Sequence, residues 1–102
     1  MVAKGKSIKP APMPDLTQPF SEALLAEAIT AKRTAMHLRL VDVAKTLSLS
    51  RQTLVKIEKG DPRVNFVNVL RVMNYLGLSF RIVTDTQQHQ DNELREPDSD
   101  WF

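Results

Sequence analysis

Apolar residues recur along this chain at two periods. Between residues 22 and 35, Leu25, Ala28 and Ile29, followed by Met36, hold the spacing of an amphipathic helix facing a core, and Ser21 stands in front as an N-cap. Val41 to Leu47 predicts a second, short helix. Ser48-Leu49-Ser50 breaks it, and Ser50 caps a third helix over about 51–59. Gly60-Asp61-Pro62 ends that helix, because glycine accepts a positive φ and proline cannot continue the ladder. Asn65 caps a fourth helix running to about Leu76, with Gly77 as its stop. From Leu78 the period falls to two: Leu78, Phe80 and Ile82 alternate with Ser79 and Arg81, which predicts a strand to about Thr84.

The flanks carry no such period. Pro10, Pro12, Pro14 and Pro19, interspersed with Lys4, Lys6 and Lys9, predict a flexible basic arm over 1–19. Beyond Asp85 the chain is polar and acidic until Trp101-Phe102, which predicts a disordered tail. The organisation expected is therefore an arm (1–19), a helical domain (20–77), a dimerisation strand (78–85) and a tail (86–102). The fold class is all-α with one terminal strand, and there is no internal repeat.

Charge sharpens this division. Residues 1–84 hold 13 Lys/Arg against 6 Asp/Glu, a net of +7, whereas residues 85–102 carry a net of −5. A basic body suits a polyanion such as DNA, whose phosphates supply most non-specific affinity. Composition also excludes whole classes. With no cysteine there is no disulfide, thiolate nucleophile or cysteine-based zinc site. His37 and His89 are the only imidazoles; neither belongs to a nucleophile or metal constellation, and the three glycines form no phosphate-cradling loop. An enzyme is not expected, nor any cofactor or metal. No apolar run approaches the roughly 20 residues that span a bilayer, and no signal-peptide pattern opens the chain. The expected location is the cytoplasm, on the nucleoid, with no membrane partner.

Projected at about 100° per residue, residues 51–59 place Leu54 and Ile57 inward and Gln52, Lys56 and Lys59 outward, flanked by Arg51, Thr53 and Val55. Ala44 supplies a small residue where two helices cross, and Val43, Leu47 and Leu49 complete the apolar contacts between them. The run from Leu38 to Leu76, above all Ser50-Arg51-Gln52-Thr53-Leu54 and Ile57-Glu58-Lys59-Gly60, resembles the Cro/C1-type (xenobiotic-response-element, lambda-repressor-like) helix-turn-helix family. Two places depart from it: Leu40 stands where the family often has a phosphate-binding glutamine, and Ser48 where it has a turn glycine.

The resemblance implies a bundle of four to five helices whose third lies in the major groove. Arg51, Gln52, Val55 and Lys56 would then read bases, since arginine pairs with guanine O6/N7, glutamine with adenine N6/N7, and valine meets a thymine methyl. Ser50, Lys59, Arg63 and Asn65 would meet phosphates. It also implies that Glu58 pairs with Arg33 of the first helix; the alternative is a solvated glutamate near a helix end.

A lone strand cannot satisfy its own backbone, and a region of this size has a marginal core. Both point to a homodimer in which residues 79–84, with Phe80, Ile82 and Val83, pair about a two-fold axis; pairing with part of the tail is the alternative. The wide apolar arc of the fourth helix agrees. Two recognition helices would then stand one DNA turn apart, ~34 Å, on a palindromic operator. The Leu76-Gly77-Leu78-Ser79-Phe80-Arg81-Ile82-Val83 run and Trp101 are similar to HipB-type antitoxins. That resemblance implies a repressor of its own operon in a toxin–antitoxin system, which also binds a HipA-type kinase toxin. Trp101 and Phe102 would fill a pocket on a partner, act as a protease signal, or be a functionless end. The alternatives are a stand-alone Cro/C1-type repressor or restriction-modification controller, and a protein-interaction module with little DNA binding.

Overall fold

The computed structural model describes residues 8–84, and four helices form within them: α1 (Glu22–Ala35), α2 (Leu40–Thr46), α3 (Arg51–Glu58) and α4 (Phe66–Leu76). Three of the four begin where a side chain offers an acceptor. The Leu24 amide donates to Ser21 Oγ at 3.0 Å, the Thr53 amide to Ser50 Oγ at 3.0 Å, and the Val67 amide to Asn65 Oδ1 at 2.8 Å. Each such cap stabilises a helix by about 1 kcal/mol. Only α2 starts without one, behind Arg39, and it begins one residue before the expected Val41.

All four helices end in the same way. A residue with left-handed φ follows the last turn, at His37 (59°), Ser48 (58°), Gly60 (77°) and Gly77 (80°). The next amide then folds back to a carbonyl five residues earlier: Leu38 to Arg33, Leu49 to Ala44, Asp61 to Lys56 and Leu78 to Met73, at 2.8–3.1 Å. This closure satisfies carbonyls that the helix itself leaves open. It also turns Leu38, Leu49 and Leu78 onto the core, where each is partly buried. At Gly60 a side chain is excluded for a second reason, since a Cβ there would lie 3.2 Å from the Glu22 carbonyl oxygen.

The core joins Ile29 of α1, Val43 and Ala44 of α2, Leu54 and Ile57 of α3, and Val69, Val72, Met73 and Leu76 of α4. Full burial of a large aliphatic side chain is worth roughly 1.5–3 kcal/mol. α1 packs against both α3 and α4, while α2 packs against α3. Because α1 is covered from two sides, it buries the small residues Ala26 and Ala31 as well as the expected Ala28 and Ile29. Met36 is a correction: it lies beyond the last helical turn, where the chain has left the inward stripe, and it is 43% exposed.

One other segment differs from expectation. Among the described residues there is no strand, and none of them pairs with 78–84, which runs without a ladder. In the basic arm, residues 8–19 form no helix but are tied to the body. The Ala11 amide donates to Thr34 Oγ1 at 2.8 Å, and the Asp15 carboxylate accepts from the Thr17 amide and hydroxyl and from Gln18 Nε2. The Thr17 hydroxyl above all holds the Asp15 carboxyl at about 2, below the usual carboxylate range. The rest of the arm and the whole of 86–102, including Trp101 and Phe102, lie outside the described residues.

Candidate nucleic-acid interface

Two short helices and the tight corner between them set the candidate surface. Ser48 takes the left-handed conformation that the turn requires, so the position where a glycine would be free is held by serine. Ala44, 2% exposed, lets α2 and α3 approach closely. Arg71, from α4, braces the corner by donating to the Leu47 carbonyl at the end of α2, where a cation also opposes the negative end of the helix. Arg71 leaves no mark in the sequence pattern, because its acceptor is a backbone oxygen 24 residues earlier in the chain.

With the corner fixed, α3 has one side that is forced inward. Leu54 is fully buried and Ile57 is 4% exposed. On the other side Arg51, Gln52, Lys56 and Lys59 are exposed, while Thr53 and Val55 between them are partly buried. Among the described residues none of Arg51, Lys56 and Lys59 has an ion-pair partner. The structure therefore brings the four expected base-reading residues, Arg51, Gln52, Val55 and Lys56, onto one helix of eight residues, with the three polar ones exposed.

The expected phosphate contacts are more heterogeneous. Ser50 Oγ is engaged in capping and lies 2.8 Å from Thr53 Oγ1, yet it remains exposed at the start of α3. Lys59 is exposed at the other end of the same helix. Arg63 and Asn65 follow in the loop toward α4. Asn65 spends its acceptor oxygen on the Val67 amide, which leaves its amide group as a donor. Arg63 is drawn to its neighbour: Nε is 3.1 Å from Asp61 Oδ1 and Nη2 is 3.2 Å from Oδ2. The Arg63 side chain and then its backbone amide lower the Asp61 carboxyl below its usual value, and Asp61 in turn raises Arg63. Arg63 is still 86% exposed, so this is a solvent-screened pair of little energetic weight.

Behind α3 lies a different arrangement. Glu58 Oε2 accepts from Arg33 Nε at 2.7 Å, and its Oε1 accepts from Arg33 Nη2 at 3.0 Å. Thr30, one turn earlier on α1, donates to Oε1 at 2.8 Å, and Arg33 Nη1 donates to the Leu38 carbonyl at 2.8 Å. The side chains of Arg33 and Glu58 are only 11% and 7% exposed. The solvated-glutamate alternative does not describe this geometry. A two-pronged arginine–carboxylate pair of this kind is charge-assisted and directional, and it fixes the end of α3 to the last turn of α1. Thr30 was not anticipated; only its place three residues before Arg33 on the same helix face hints at it.

Leu40, where the resembling family often has glutamine, is partly buried against the core and presents no hydrogen-bonding side chain. Nearby Arg39 and Asp42 form an exposed pair at 2.9 Å. The expected dimer residues lie in the segment after α4: Phe80 is 40% exposed, Val83 77% and Ile82 94%. No described helix is long and apolar enough to cross a membrane. A protein-family model described as helix-turn-helix matches residues 29–83, which takes in all four helices from the middle of α1 onward. No curated protein and no solved structure gives a significant match to the chain.

Proposed function

The chain belongs to this helix-turn-helix family, whose domains bind DNA and regulate transcription rather than catalyse reactions, and on that premise we propose that it is a sequence-specific repressor acting as a homodimer on a palindromic operator. The observation that carries the reading is the separation of the two sides of α3. Its apolar and ion-paired side is consumed by the fold, and its cationic and amide-bearing side is left to solvent with the helix start capped. Arg51 and Gln52 then meet base edges first, Val55 and Lys56 follow one turn later, and Ser50, Lys59, Arg63 and Asn65 hold the phosphates on either side.

Dimerisation follows from the segment after α4. Residues 79–84 carry apolar side chains and pair with no other strand among the described residues, and a second copy about a two-fold axis supplies the matching edge. The same segment, with Trp101, supports the narrower assignment to a HipB-type antitoxin of the cytoplasm, which represses its own operon and binds a HipA-type kinase toxin. In that role Trp101 and Phe102 engage the toxin or a protease.

Footprinting the purified chain on the DNA upstream of its own gene tests the regulator, and co-purification with the product of the neighbouring gene tests the antitoxin. The expected result is one protected, two-fold site, lost as salt rises with a slope of about −0.9 per phosphate neutralised. Silence toward duplex DNA at low ionic strength would instead favour a protein-interaction module, the reading to which the apolar Leu40 lends itself.

A further inference from the structure

A groove of about 620 Å³ opens between the segment before α1 and the segment after α4. Leu16 and Phe20 line it from the first, Leu24 and Met73 from α1 and α4, and Leu78 and Phe80 from the last. Phe20 meets Phe80 edge to face at 5.6 Å, and Phe66 stacks on Phe80 at 6.1 Å, so three rings form one cluster, of which Phe20 and Phe80 line the groove. Those rings stay 40–61% exposed, beside Leu16 at 57%. Arg81 and Val83 also line the groove, but Ile82 between them does not and projects into solvent at 94% exposure.

We infer that this groove is the half of the subunit interface contributed by the N-terminal segment, and that it receives Ile82 of a second copy of the chain. The inference rests on the homodimer reading above. Antiparallel pairing of residues 79–84 about a two-fold axis sets residue 82 opposite the partner's Arg81, on the face that Arg81 shares with Val83, and both of these line the groove. Pairing six residues of backbone alone buries too little surface for a lasting complex, for which about 1,200–2,000 Å² is typical. A contiguous aromatic and aliphatic patch next to the paired edge supplies the remainder. The acidic tail is the poorer occupant: Trp101 is flanked by Asp100 and preceded by Asp98, and seating it would strip water from carboxylates. Ile82 carries no such penalty. The N-terminal segment is prepared for this part by the Ala11–Thr34 hydrogen bond and by the Asp15 turn, which position Leu16 and Phe20 before any partner arrives.

Sedimentation of the full chain is the test. Ile82→Asp, at a side chain with almost no contacts of its own, is expected to leave the far-ultraviolet spectrum unchanged and to raise the dimer dissociation constant at least 100-fold, as is Phe20→Ser. The absence of cysteine allows a second measurement. A Leu16→Cys chain mixed with a size-tagged Ile82→Cys chain should give a mixed disulfide on mild oxidation. An unchanged dissociation constant in Ile82→Asp together with no mixed disulfide overturns the inference while the homodimer stands. Loss of the dimer on deleting residues 86–102, with Ile82→Asp silent, assigns the groove to the tail and overturns it too. A monomeric parent chain removes the homodimer itself.

Discussion

The two sides of α3 share eight residues and almost nothing else. Inward, every group has a partner: Leu54 and Ile57 are buried, and Glu58 is held by Arg33 and Thr30 in three hydrogen bonds. Outward, Arg51, Gln52 and Lys56 stand in water. A charge taken out of water must be fully paired, whereas one left in water costs nothing to keep unpaired and is available to a polyanion. The contrast teaches that stability and binding are written on opposite faces of one helix, and so they can be altered separately.

The largest effect should come from the inner face. Glu58→Ala leaves the Arg33 guanidinium mostly buried and without its carboxylate, a loss of about 3–5 kcal/mol for a buried pair. For a domain this small each kcal/mol lowers the melting temperature by roughly 4–8 °C. A thermal melt within a few degrees of the parent would show that the pair does not hold α3 to α1. On the outer face, Arg51→Ala should leave the melt unchanged and cost roughly 1–3 kcal/mol of operator binding, with preference relaxed at one base pair. If titrations on operator and on random DNA lose equally, Arg51 reads no base.

Between these lies Gly60→Ala, which tests the junction where the two faces end. The left-handed φ alone disfavours a side chain by about 1–2 kcal/mol, and the new Cβ would press on the Glu22 carbonyl. A moderate fall in melting temperature is expected; a gain in stability contradicts the close approach of α3 to α1. The smallest effect belongs to Asp61→Asn. Arg63 lowers the Asp61 carboxyl, so whatever the pair contributes is present above the ordinary carboxylate range and disappears as pH falls through the lowered value. Because the Arg63 side of the pair is open to solvent and screened by it, the melt should barely move between parent and variant at neutral pH. Random-sequence DNA should nevertheless bind slightly more tightly, since Arg63 is released and a negative charge is gone. Weaker binding in a filter assay would mean that Asp61 positions Arg63 rather than competing for it.

Helix starts were legible because an N-cap is a local event: Ser21, Ser50 and Asn65 act on amides two or three residues away. Helix ends were legible where glycine marks them, at Gly60 and Gly77, and at the turn where Ser48 replaces one. His37 adopts the same left-handed conformation without such a mark, and the helical spacing that points Met36 inward no longer applies one residue past the end of α1, where Met36 is exposed. The inner and outer faces of α3 followed from the 3.6-residue period alone. The pairing of Glu58 with Arg33 came from resemblance to a family, and Thr30 was not found at all, because hydrogen bonds spanning 25 and 28 residues leave no periodic trace.

The sequence by itself therefore determined the four helices, their caps and which side of α3 carries charge, since each depends on neighbours within a turn or two. Tertiary structure alone decided that α1 is covered from two sides, that Arg71 braces the α2–α3 corner and that residues 8–19 lie against the body. It also left 78–84 without a ladder. An alternating pattern states only that a segment suits a sheet; hydrogen bonds need a second strand, and no spacing within one segment can specify where that strand comes from.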